Sequence, residues 1–431
     1  MNIKNINNLF AGFLILLAMD INSACQNRQN SGEVKPGGAR MPEVVNFEKP
    51  KTFQINPKDL PKPFETKSSV KPSKRIPQPA DAKLYVPKGF KINVFAEGNF
   101  NNPRMMALAP NGDVFVADSR ANAIIILRDK NKDGVSDERF TFAENLSQPF
   151  GMAFNGDWFY VANTDSVVRF KYKTGQTKAD SAPEKLIELT EGGYNQHWTR
   201  NIIFSPDGKK MYVSIGSSGN VDIESDARRA AINEYDPDGK NHRIFADGIR
   251  NPIGLAFNPT TKELWTAVNE RDGLGDDLVP DYVTSVKDGA FYGFPYYYLG
   301  ENVDPRRKND VANIRLKKPI MPDVLLTSHS AALGMVFYNG KMFPKEYQGE
   351  AFVALHGSWN RNPLTGYKII RVRFKNGKLV SSGYEDFVTG WLPNETSSEV
   401  WGRPVGLLVN ADGSLLICDD GADKIWRISH Q

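Results

Sequence analysis

Apolar positions along the chain recur in short runs rather than at helical spacing, and the runs repeat. NPRMMALAPNGDVFVAD from Asn102, QPFGMAFNGDWFYVAN from Gln148 and WTRNIIFSPDGKKMYVSIG from Trp198 share one plan. NPIGLAFNPTTKELWTAVN from Asn251, AALGMVFYNG from Ala331 with AFVALHG beyond it, and RPVGLLVNADGSLLICDDG from Arg403 follow the same plan. Each begins with a polar residue or proline, runs through an apolar strand, turns on Asn, Asp, Gly or Pro, and ends a second apolar strand in polar residues. With Met105, Gly151, Asn201, Gly254, Gly334 and Gly406 as equivalent positions, the intervals are 46, 50, 53, 80 and 72 residues. A repeat of about 45–50 residues with two clear strands and room for two more suits a propeller blade. The pattern predicts an all-β, six-bladed β-propeller over 84–431, with loop insertions in the longer intervals and a strand from about Lys91 completing the last blade.

Ahead of the repeats the pattern changes twice. Residues 1–24 hold a lysine, an apolar run from Leu9 to Met19 and small residues before Cys25. That run is too short to span a bilayer and suits a signal peptide. The SAC triplet resembles a lipoprotein processing site, so Cys25 is the expected lipidation point, with Asn22 departing from the usual aliphatic position. The expected location is the periplasm or cell envelope, with the membrane reached only through the lipid. Residues 25–83, rich in Pro, Lys, Ser and Asn, read as a flexible linker.

Composition narrows the function. Against 54 basic residues stand 50 acidic ones, a net charge of +4, without a long basic run interleaved with aromatics. Nucleic acid is therefore not an expected partner. Besides Cys25 the chain has only Cys418, so the mature chain forms no internal disulfide. No C-x-x-C-H motif offers a covalent haem site, and electrons from any redox reaction would leave to a separate acceptor.

In a blade, the start of the innermost strand and the end of its neighbour lie on one face, around the channel. Those positions hold His197, Arg250, Asn251, His329, His356, Arg403, Asp118 with Arg120, and Asp419 with Asp420. Desolvated cations gathered there need either local carboxylates, such as Asp118, Glu270 and Asp272, or an anionic ligand. NERDGLGDDLVPDY from Asn269 packs five carboxylates into a glycine-containing loop, a candidate calcium site or a solvated acidic loop. DKNKDGVSDE from Asp129 matches an EF-hand loop at five positions, but position 12 is Phe140, leaving a structural calcium or an Asx-turn hairpin. In GSWNRNPLTG, Trp359 stands where a flat ligand would stack or a rim loop would pack.

HWTRNIIFSPDGKKMYVSIG, GIRNPIGLAF, NERDGLGDDLVPDYVTSVKDGAFYGFP, ALHGSWNR and WGRPVGLL, in this order, resemble the pyrroloquinoline quinone (PQQ)-dependent sugar dehydrogenases, specifically the L-sorbosone and pyranose dehydrogenase branch. The resemblance implies a quinoprotein that oxidises a sugar or sugar-derived aldehyde with calcium-bound PQQ. It implies His197 as general base, Arg250 beside it, and Arg200, Arg250, Asn251, Arg271, His356, Arg361 and Arg403 as cofactor-binding residues. It implies calcium (Ca2+) at the backbone of Asp272 and Gly273, with Asp276 and Asp277 nearby, and substrate contacts from Trp359 and His329. Two positions depart from the family pattern. Val405 replaces a second arginine, and ALHGSWNR stands where the family has a cofactor-binding lysine, so His356 or Arg361 is the expected substitute.

Two other functions fit the same fold, since a fold does not fix an activity. One is a calcium-dependent lactonase or esterase, with its metal on the channel axis. The other is a non-catalytic propeller lipoprotein that binds glycan or protein.

Overall fold

The computed structural model of the chain describes residues 41–189, 197–313 and 316–431. Six sheets follow one another along the chain. The innermost strands are Pro103–Leu108, Gly151–Asn155, Arg200–Phe204, Asn251–Phe257, Ala332–Phe337 and Pro404–Val409. Blades 1 to 4 are each built from four strands taken in order. Blade 6 takes its outer strand from the other end of the propeller: Phe90–Glu97 pairs antiparallel with Lys424–His430. The six-bladed propeller and its closing strand are thus as the repeat pattern predicts.

The second strands explain why the pattern shows runs rather than alternation. Val114–Asp118, Met211–Ile215, Ala351–Leu355 and Leu415–Asp419 are buried along their whole length, because neighbouring blades cover both faces. Each fully buried Val, Leu or Ile contributes about 1.5–3 kcal/mol relative to an exposed one.

The glycine column marks the innermost ring. A Cβ on Gly334 would come within 2.3 Å of the Val405 carbonyl oxygen, and one on Gly406 within 2.4 Å of the Arg104 carbonyl oxygen. Glycine there lets the inner strands of adjacent blades pack backbone to backbone. Beside this column, the first strands of blades 1, 4, 5 and 6 shift register, at Pro103/Met105, Pro252/Gly254, Ala332/Met335 and Pro404/Leu407. Such bulges re-aim the side chains at the channel rim.

One sequence expectation is corrected. Within the expected linker, residues 41–83 are part of the folded body. Glu43–Phe47 pairs parallel with Lys83–Pro87, Thr52–Phe53 adds a fifth strand to blade 5, and Lys74–Arg75 pairs with Glu399–Val400. Between these anchors the chain crosses the channel face as a strap. Phe64 N donates to Leu274 O at 2.7 Å, Asp276 N to Lys67 O at 2.8 Å, and Lys71 N to Trp359 O at 2.8 Å. The strap is ordered by partners far along the chain, around Leu274, Asp276 and Trp359, rather than by any periodicity of its own. The signal segment and Cys25 lie outside the described residues.

Candidate active site

A cavity of about 450 Å³ opens on the channel face. His197, Arg250, Asn251, Asp272, His329, His356, Trp359 and Arg403 line it, so most of the expected site residues come together. Pro72 and Ser73 of the strap form part of its wall.

On the side of blades 3 and 4, His197 stands just before a strand and is buried. Its Nδ1 lies 3.0 Å from both the carbonyl oxygen and Oγ of Ser217. The Ser217 hydroxyl donates to Gly219 O at 2.7 Å. Both groups facing Nδ1 are therefore acceptors, which puts the ring proton on Nδ1 and the basic lone pair on Nε2. Burial, helped by the charge of Arg250, lowers the His197 pKa to about 3. The ring is neutral at ordinary pH.

Arg250 is held by four of its N–H groups. Nε donates to Asn220 O at 3.1 Å and Nη1 to Glu270 O at 2.7 Å. Nη2 donates to Asn220 Oδ1 at 2.9 Å and to Asp272 Oδ2 at 3.3 Å. Of the five N–H donors of a guanidinium, one on Nη1 remains. Among the described residues, the buried Oδ1 of the neighbouring residue in the chain, Asn251, has no hydrogen-bond partner. Gly216 makes this arrangement possible, since a Cβ there would lie 2.2 Å from that oxygen.

In a six-membered ring, blades 6 and 1 stand opposite blades 3 and 4, and here arginines gather. Asp420 is the hub: it accepts from Arg104 Nη1, from His356 Nε2 at 2.8 Å and from Asn102 Nδ2 at 3.1 Å. Arg403 Nη2 donates to His356 Nδ1 at 3.0 Å. Burial, reinforced by Arg403, lowers the His356 pKa to about 4, so this ring is neutral as well. Burial opposes charge on Asp420, but His356 and Arg104 outweigh it and hold its carboxyl far below the usual range. Three guanidinium groups, from Arg104, Arg120 and Arg403, thus face the cavity with one carboxylate among them. Among the described residues, Nε of both Arg104 and Arg403 is buried without a hydrogen-bond partner.

Three expected cofactor contacts turn elsewhere. Arg271 is fully buried and reaches Glu270 Oε2 at 2.9 Å, Asp304 Oδ2 at 3.2 Å and the carbonyls of Pro295 and Tyr297, pinning the blade 4 insertion. Arg200 donates to its own turn, at His197 O (2.9 Å) and Thr199 O (3.1 Å). Arg361 Nη1 donates to Asp276 O and Asp277 Oδ1, both at 2.6 Å. Each guanidinium follows the nearest carboxylate or carbonyl rather than the channel.

Of the groups expected to hold calcium, Asp272, Asp276 and Asp277 are already engaged by hydrogen-bond donors of the chain. The Asp272 carbonyl oxygen already accepts from Arg306 Nη1 at 2.8 Å and Asn220 Nδ2 at 3.0 Å. Asp276 accepts from the backbone and hydroxyl of Ser69, both at 2.8 Å, and Asp277 from Arg361. Gly273 is exposed. Among the described residues, no three His, Cys, Asp or Glu side chains converge on a metal position. In the Asp129 loop Asp133 N donates to Asn131 Oδ1 at 2.9 Å and Val135 N to Asp133 Oδ1 at 2.8 Å, each two residues on, which is the Asx-turn form.

His329 and Trp359 both line the cavity on the blade 5 side. Its Nε2 donates to Gly275 O at 2.9 Å, and its Nδ1 accepts from Asn360 Nδ2 at 3.1 Å. Burial opposes its charge, but contacts with Asp272 and Gly275 prevail and raise its pKa. Trp359 is 37% exposed at the rim.

Arg104, Asn220 and Asn360 escape a sequence reading restricted to the strand-end columns. Arg104 is at the bulge of blade 1, two residues inside the column that holds Asn102, so the repeat alignment would reach it once bulges are allowed for.

Residues 84–298 and 300–431 match the family model described as TrAA12-like. The chain is 29% identical over 358 residues to an uncharacterized protein of Borreliella burgdorferi, covering 81% of this chain and 91% of that one. It is 26% identical over 297 residues to a pyrroloquinoline quinone-dependent pyranose dehydrogenase of Coprinopsis cinerea, a match over 54% of this chain and only 39% of that longer protein. The holo form of the PQQ domain of a Coprinopsis cinerea pyranose dehydrogenase superposes with a TM-score of 0.68 at 21% identity, covering 82% of this chain and 98% of that one.

Proposed function

The chain belongs to the TrAA12-like family, and from that membership and its channel face we propose that it is a quinoprotein oxidoreductase that oxidises a sugar or sugar-derived aldehyde, of pyranose or sorbosone type, with PQQ as electron acceptor. The observation that carries the reading is the pairing of two walls. A neutral histidine beside a held arginine shares one cavity with a cluster of three arginines, Arg104, Arg120 and Arg403.

PQQ is a planar tricarboxylate, and charge-assisted contacts from Arg403, Arg104 and Arg120 would hold its carboxylates. Asn251 would meet its polar edge. When bound, PQQ supplies a two-electron acceptor for the hydride that leaves the substrate carbon. His197 takes the hydroxyl proton through Nε2, with Ser217 holding the ring in the required tautomer. The remaining N–H of Arg250 steadies the charge that develops on the substrate oxygen. Trp359 at the rim gives a sugar ring an apolar face. Bound carboxylates offset the positive field of Arg250 and so strengthen His197 as a base relative to the empty site.

In the same reading, the protein is exported and tethered through Cys25, and a separate electron acceptor reoxidises the cofactor. The experiment is to titrate the purified protein with PQQ and follow reduced-quinone absorbance on adding aldoses and sugar aldehydes. Binding followed by reduction is expected. Binding without reduction by any sugar would favour a non-catalytic propeller, and absence of binding would overturn the reading.

A further inference from the structure

A carbonyl oxygen has two lone pairs, and at Asp272 both are taken. Neither donor is free to turn away. Asn220 Oδ1 accepts from Asp272 N and from Arg250 Nη2, both at 2.9 Å, which fixes the amide with its nitrogen toward the Asp272 carbonyl. Arg306 is gripped along its other edge by Asp304, Nε to Oδ1 at 2.9 Å and Nη2 to Oδ2 at 2.8 Å. Asp304 is fully buried and also pairs with Arg271. It caps the turn Pro305–Arg307 as well, accepting from Arg306 N at 2.9 Å. The blade 4 insertion, between Tyr282–Ser285 and Val324–Leu325, thus delivers a guanidinium to the oxygen at which a metal was expected.

A calcium ion binds oxygen at about 2.3–2.6 Å and needs six to eight oxygen ligands. At Asp272 it would have to expel a guanidinium that two hydrogen bonds tie to a buried carboxylate. If Arg306 stayed, the two cations would repel each other at contact distance.

We propose that Arg306 is a built-in cation at the Asp272 carbonyl, standing where a divalent ion would sit, so that this site takes its carboxylated quinone without a divalent metal. The proposal rests on the PQQ reading above. Arg306 acts here as a positioning residue: it fixes the Asp272 backbone, and Asp272 in turn holds Arg250, Asn360 and His329.

The test is fluorescence titration of the full-length protein with PQQ, once in chelator and once in excess calcium. The affinities are expected to agree within about twofold. Binding that chelation weakens tenfold or more overturns this proposal alone, whereas absence of binding in both buffers overturns the PQQ reading and this proposal with it. Two variants extend the test. Arg306→Lys keeps a cation and is expected to bind PQQ equally in both buffers. Arg306→Ala frees the carbonyl and is expected to lose about tenfold in affinity in chelator, because the Asp272 backbone that positions Arg250 loosens, and to regain it when calcium takes the carbonyl. An Arg306→Ala protein that matches the parent in both buffers would show that the guanidinium does not substitute for a metal, and so would Arg306→Lys binding that requires calcium.

Discussion

His197 owes its neutrality and its orientation to the same burial. Its pKa of about 3 lies below the 6.5 of the exposed ring, so between these values the unfolded chain binds a proton that the native ring does not. The contribution of this group to stability is therefore full above pH 6.5 and is lost as pH falls toward 3. In the cofactor-free protein, histidine NMR should show the His197 ring unprotonated from pH 8 down to pH 5; a midpoint near 6.5 would contradict the buried, Arg250-facing environment. On the other wall, Arg403→Ala removes a charge-assisted contact worth about 1.5–3 kcal/mol, which predicts a loss of roughly 10- to 150-fold in PQQ affinity. Unchanged affinity in a titration of that variant would mean that Arg403 serves only His356. His197, Arg250, Asn251 and Arg403 were legible in the sequence because they keep fixed offsets from the repeat. Arg200, Arg271 and Arg361 sit in equally suggestive motifs yet turn away. A guanidinium points to whichever acceptor the fold brings near, and for Arg271 one acceptor, Asp304, comes from 33 residues further on in an insertion without a repeat.

Blades were readable as elements because each repeats one run, turn and run, and because the glycine column is imposed by backbone contact between neighbours. Gly406→Ala tests this: its Cβ would press on the Arg104 carbonyl and on Met105 Cα at 3.0 Å. Overpacking of this kind costs about 1–3 kcal/mol and should lower the denaturant midpoint. It should also weaken PQQ binding, because the strain falls on the bulge that aims Arg104. A variant as stable as the parent would refute the close approach. The strap was not legible, since Pro, Lys and Ser without a period read as unstructured chain. Part of its order comes from Asp276, which accepts two hydrogen bonds from Ser69. Asp276→Ala should leave the propeller folded while speeding tryptic cleavage after Lys67 several-fold; an unchanged cleavage rate would show that other contacts alone hold the strap.

At the scale of the whole molecule, the ring is closed by its two ends, Phe90–Glu97 against Lys424–His430, and the strap then roofs part of the channel face. Closure matters to the site because its two walls belong to opposite blades. The distance between His197 and the arginine cluster is held by the circumference, not by any local turn. A ligand that bridges the walls should therefore stabilise the entire propeller, and PQQ at 100 times its dissociation constant should add about 2.7 kcal/mol to the unfolding free energy. The central claim is that His197 removes the substrate proton while the opposite wall holds the quinone. It is tested most directly by single-turnover quinone reduction in the PQQ-loaded parent and His197→Ala proteins, side by side, with a sugar that reduces the parent. The account predicts equal PQQ affinity and reduction slower by about 10² to 10⁴ in the variant; equal rates at saturating cofactor would contradict it.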